Sequence, residues 1–86
     1  MDDEHATYSP PSAGTAGARM RELRTAADMA QAALAEEMAR RGFRWHQTTV
    51  TRIEAGTQEL DLTEATAIAE IFAVPLGSLA SAEVTS

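Results

Sequence analysis

Apolar residues recur along this chain at steps of three and four rather than two, which is the period of a helix and not of a strand. From about Ala16 to Ala27, the residues Met20, Leu23 and Ala27 form the inward stripe of a first helix, with Arg19 and Glu22 outside. Arg24 lies beside that stripe, an unusual place for a cation. A second helix, about Met29 to Arg41, buries Ala30, Leu34, Ala35 and Met38 and turns Glu36, Glu37, Arg40 and Arg41 outward. Between the two, Asp28 serves either as a left-handed C-terminal residue or, with Gln31, as a capping box for the second helix. The second role is the one favoured here. Gly42 ends the second helix and Gly56 the third, which runs from about Gln47 to Ala55 with His46 at its N-cap. Trp45 and Val50 have the spacing of a hydrophobic staple, so Trp45 is read as a lid on the core rather than a base-stacking residue. A fourth helix brings Leu62, Ala65, Ile68, Ala69 and Phe72 to one face, with Asp61 or Thr63 as cap. A short fifth, about Pro75 to Ala80, starts at a proline and turns Leu76 and Leu79 inward.

The pattern therefore predicts an all-α fold of five short helices. Its third helix is the distinctive one. Val50 and Ile53 are its large aliphatic residues, three apart on one face, while Gln47, Thr48, Thr51 and Arg52 fall on the other. Such a helix presents polar groups to something outside. Residues 1–15 show no hydrophobic period and combine acids with Ser, Thr, Gly and a Pro-Pro pair, so they are expected to be a disordered acidic arm. The domain is then residues 16–80, with residues 81–86 a frayed end.

Composition narrows what this helical unit does. Eighty-six residues make one small domain, of a size that buries only about 60% of its unfolded surface. There is no cysteine, and His5 and His46 stand alone, so no metal site is expected. No nucleophile with a nearby base and no glycine-rich phosphate loop occurs, which predicts neither enzyme nor cofactor. No window approaches the roughly 18 apolar residues of a membrane span, and a cytoplasmic location is expected. The net charge of −6 argues against nucleic acid until its distribution is considered. All seven basic residues are arginines within residues 16–56, a block of net +2, while residues 1–15 carry −3 and residues 57–86 carry −5. A basic middle lies between acidic ends.

Leu23-Arg24, Gln31 with Leu34-Ala35, the run Thr51-Arg52-Ile53-Glu54-Ala55-Gly56, Ile68-Ala69, Val74-Pro75 and Leu79 occur in that order on the expected helices. In this the chain resembles the phage-repressor and Cro type of helix-turn-helix domain, the group called xenobiotic-response-element-like regulators, over about Met20 to Leu79. The resemblance implies a five-helix, lambda-repressor-like fold and a transcriptional regulator, in the main a repressor, that binds double-stranded DNA as a homodimer on a two-fold operator. It implies a third helix in the major groove, with the second crossing the backbone.

Carried over residue by residue, the resemblance assigns base reading to Gln47, Thr48, Thr51 and Arg52. A glutamine amide fits adenine and a guanidinium fits guanine. Gln31 corresponds to a phosphate-contacting glutamine at the start of the second helix, a role compatible with simple capping. Thr49 serves a phosphate or the helix start. Arg44, with Arg40 and Arg41, receives no assignment from the resemblance and is either a phosphate contact or exposed surface. Arg24 and Glu54 match a buried structural ion pair joining the first and third helices. The chain departs from the usual motif by a longer connection, about five residues, between its second and third helices, and by Ala30 and His46 where Ser or Thr caps are common. Leu76, Leu79 and Val84 are the expected dimerisation patch. The alternative function is a protein-interaction module on the same fold that binds another regulator, a possible protein partner, instead of DNA.

Overall fold

The computed structural model of the chain describes residues 11–79. Pro11 opens α1 (Pro11–Ala26) at a helical position where its missing N–H is not needed. The helix thus begins before residue 16, and residues 11–15, assigned from sequence to the disordered arm, are its first turns. They carry no apolar stripe, so periodicity alone does not mark them as helical. The rest of the arm, with Tyr8, and residues 80–86 lie outside the described residues. Three more helices follow, α2 (Gln31–Arg40), α3 (Gln47–Ala55) and α4 (Leu62–Phe72), and a last helical stretch begins at 77–79. The fold is all-α, as expected, with no strand among the described residues.

All four helices end in the same way. After each, the chain passes through a left-handed residue, at Asp28, Gly42, Gly56 and Ala73 in turn. In each case the next N–H returns to the helix: Met29 to the Arg24 carbonyl, Phe43 to Met38, Thr57 to Arg52 and Val74 to Ala69. This is the Schellman closure, which satisfies carbonyls left without partners at a helix end. It also corrects the reading of Asp28. With φ at +58°, Asp28 terminates α1 and does not cap α2. Ala30 takes the N-cap position with extended backbone and no side-chain cap, so α2 starts two residues later than expected and Ala30 and Ala27 are exposed rather than buried. Asp61 is the cap of α4: its carboxylate accepts from the Glu64 N–H at 2.7 Å, and Glu64 Oε1 accepts from the Asp61 N–H at 3.1 Å.

Met20, Leu34, Met38, Val50, Ile53, Ile68 and Leu79 are enclosed in the core. Trp45 lies over them, 6% exposed, and its Nε1–H donates to Glu64 Oε2 at 3.0 Å, so it is unavailable for stacking on a base. Leu62, expected to face inward, is 70% exposed: at the first position of α4 it lines an open groove with Leu60 and Leu76 and is not covered by another helix among the described residues. The α1 helix packs chiefly on α3, and Gly17 sets how closely. A Cβ built there would stand 1.9 Å from the Ile53 carbonyl oxygen, so only glycine allows the two backbones to touch.

Candidate nucleic-acid interface

The α3 helix is anchored by Val50 and Ile53, both fully buried, which leaves Gln47, Thr48, Thr51 and Arg52 exposed on its opposite side. Its start is fixed by Thr49, whose hydroxyl accepts from the His46 N–H at 3.1 Å, and its end by the Gly56 closure. Thr49 is half-buried there, so its first employment is at the helix start. One face of a short, firmly held helix is therefore polar and open to solvent.

Behind this face lies a buried cluster. The Arg24 Nε–H donates to Glu54 Oε2 at 2.7 Å and an Nη2–H to Glu54 Oε1 at 3.0 Å. The two side chains are only 12% and 5% exposed. A third guanidinium donor, on Nη1, goes to the Met29 carbonyl at 2.8 Å, so one arginine ties α1 both to α3 and to the turn before α2. The Glu54 carboxylate raises the Arg24 pKa above its ordinary value, chiefly through these hydrogen bonds, which outweigh the lowering by burial, with a lesser addition from the Glu54 charge.

Gln31, half-buried at the first position of α2, connects that pair to the exposed row. Its Nε2–H donates to Glu54 Oε1 at 3.1 Å, while its Oε1 accepts from the Thr51 hydroxyl at 2.9 Å and from Gln47 Nε2 at 3.5 Å. The structure thus brings together Gln31, Gln47, Thr51, Arg24 and Glu54. Thr48 and Arg52 share the exposed face, with no side-chain hydrogen bond among the described residues. Around Gln31 the α2 helix starts without a side-chain cap, so its first N–H groups remain free for an anion.

The seven arginines divide by partner. Arg24 is held by Glu54, Arg40 and Arg41 pair with Glu37, and Arg19 bonds Glu22 and the Ser78 carbonyl and hydroxyl. Arg21, Arg44 and Arg52 have no acidic partner among the described residues, and all three are exposed. Arg44 stands in the connection just before α3, and Arg21 lines the same cleft as Gln31, Thr51 and Ala55. Arg21 was not singled out from sequence. The signal for it was its three-residue step from Arg24, which places both on neighbouring turns of α1. No group of three His, Cys, Asp or Glu residues that would hold a metal ion occurs among the described residues, and none of their helices is long and apolar enough to cross a membrane.

Among the described residues no buried side-chain polar atom lacks a hydrogen-bond partner, and the exposed polar face of α3 lies beside cations with no acidic partner. Comparisons with known proteins agree with the fold. The crystal structure of the DNA-binding domain of BldD superposes with a TM-score of 0.66 at 25% sequence identity, covering 84% of this chain and 97% of that one. No curated protein matches the chain in sequence. A family model for helix-turn-helix proteins matches residues 20–79, most of the described residues, and the chain belongs to the helix-turn-helix family in its Cro and phage-repressor branch, a family of DNA-binding transcription regulators.

Proposed function

We propose that this protein regulates transcription by inserting α3 into the major groove of a specific operator. The reading rests above all on the exposed row Gln47, Thr48, Thr51 and Arg52 on the helix face opposite Val50 and Ile53. These side chains carry the donors and acceptors that read base edges. A protein-binding face would instead carry aromatic or aliphatic anchors at those positions. Gln31 with the open start of α2, the Thr49 hydroxyl at the start of α3, and Arg44 would meet phosphates on either side. Arg21 joins this group, since it is exposed beside Gln31 and unpaired among the described residues.

The protein would act as a homodimer, with half-sites about 34 Å apart. Of the expected dimerisation patch, Leu79 belongs to the core and Val84 lies outside the described residues. An open apolar groove beside it, lined by Leu60, Leu62 and Leu76, is the better candidate. The assignment of repression rests on likeness to phage repressors alone, and a promoter-reporter assay reads its sign; the cytoplasmic location is the expectation drawn from the sequence.

The test is selection of duplexes from a random pool by the purified protein at moderate salt. A near-palindromic winner is expected. Gln47→Ala and Arg52→Ala should each lose about tenfold or more in affinity for it while melting like the parent. A folded protein that enriches no duplex would sink the proposal and send the search to a protein partner.

A further inference from the structure

We propose that the buried Glu54 carboxylate sets the hydrogen-bonding polarity of the base-reading face, so that Thr51 offers the groove only an acceptor. Thr51 then selects an exocyclic amine, adenine N6 or cytosine N4, on the strand it faces. This rests on the DNA-binding reading above.

A threonine hydroxyl is ordinarily indifferent, able to donate to a base carbonyl or accept from a base amine. Here its proton is already engaged. The chain of reasons starts in the interior, where the Glu54 carboxylate held by Arg24 has only acceptors to offer. The Gln31 terminal atom 3.1 Å from it must therefore be the amide nitrogen, because an oxygen there would oppose another acceptor. That choice turns the Gln31 oxygen towards α3, 2.9 Å from the Thr51 hydroxyl. The other neighbour of the same hydroxyl, at 3.1 Å, is the Gln47 carbonyl oxygen, again an acceptor. Two inward acceptors compete for one proton, and the outward side of the oxygen holds lone pairs alone.

The same orientation reaches Gln47, whose Nε2 is turned towards the Gln31 oxygen at 3.5 Å. A base carbonyl set against Thr51, guanine O6 or thymine O4, would face an acceptor with an acceptor. An amine would complete the chain. Glu54 and Gln31 are thus positioning residues for specificity, acting through Thr51, besides joining the helices.

The experiment uses the full chain and the duplex it enriches. One base position is expected to prefer adenine or cytosine over guanine or thymine by about tenfold. Thr51→Val, which keeps the shape without the oxygen, should flatten that preference, and Thr51→Ser should keep it. Where the preferred base is adenine, replacing it by purine, which lacks the amine, should weaken the parent about tenfold and Thr51→Val no further. Gln31→Leu leaves the Arg24–Glu54 pair in place but frees the Thr51 proton from one of its two acceptors, and should reduce the discrimination. A purely structural network would lower affinity for all sequences alike without changing the preference. Preference for guanine or thymine at the position that Thr51→Val flattens, unaltered discrimination in Thr51→Val or in Gln31→Leu, or a purine replacement without effect on the parent would each overturn the proposal while leaving DNA binding intact. Absence of any enriched duplex would overturn both.

Discussion

A methyl group added at Gly17 would meet the Ile53 carbonyl oxygen at 1.9 Å, although helix propensity alone recommends alanine there by about 1 kcal/mol. Packing wins, because the obstacle is backbone and has no rotamer to change. Gly17→Ala is expected to destabilise the fold by about 3 kcal/mol, read in a thermal melt. A variant as stable as the parent would mean that α1 and α3 are not in backbone contact. The Arg24–Glu54 pair is the other residue-level lever. Glu54→Ala strands a buried guanidinium and should cost about 3–5 kcal/mol, whereas loss of an exposed pair such as Arg40–Glu37 should cost under about 1 kcal/mol. Since the Arg24 pKa is raised, its contribution is fully present below the unfolded value and fades only as pH rises through the folded one. The melting temperature should therefore gain no pH dependence from Arg24 anywhere near neutrality.

At the scale of elements, four helices share one closure but not one closing residue. Glycine fits the left-handed position at the ends of α2 and α3, and aspartate tolerates it after α1, but Ala73 after α4 holds φ at +57° against its own Cβ. Ala73 is exposed, so nothing is lost by removing the methyl group. Ala73→Gly should stabilise the protein by about 1 kcal/mol and raise its melting temperature by roughly 4–8 °C. An unchanged or lower melting temperature would count against strain at this position. The α3 helix was the most legible element, because its cap, its buried pair and its closing glycine are all local signals within residues 46–56. The end of α1 was less so, since Asp28 suits a helix end and a helix start equally until the backbone decides. Leu62 was not legible either: its spacing matches the buried Ile68 and Ala69 face, but no described element covers the first turn of α4, and only the fold shows that. Which side chain would claim the second amide atom of Gln31 was not legible, as Glu54 is distant in sequence and adjacent only in the fold.

For the whole molecule, a net charge of −6 is a poor guide to its partner. What matters is which cations remain after the internal pairs have formed, and Arg21, Arg44 and Arg52 gather at or beside α3 and the cleft next to it. If Arg21 meets a phosphate, Arg21→Ala should weaken binding to all sequences alike and reduce the slope of log affinity against log salt by about 1. A loss confined to one base position would instead make it a reader. The sorting of side chains on α3 has a consequence for descent. Thr48 and Arg52 make no side-chain hydrogen bond to the rest of the described chain, whereas Gln47 and Thr51 are engaged by Gln31. If α3 reads DNA as proposed, mutations at Thr48 and Arg52 can therefore drift one at a time, letting duplicated copies diverge towards new operators at little risk to the fold. Changes at Gln47 or Thr51 also alter what Gln31 meets, so substitutions there are expected to be accompanied by one at Gln31 more often than those at Thr48 or Arg52.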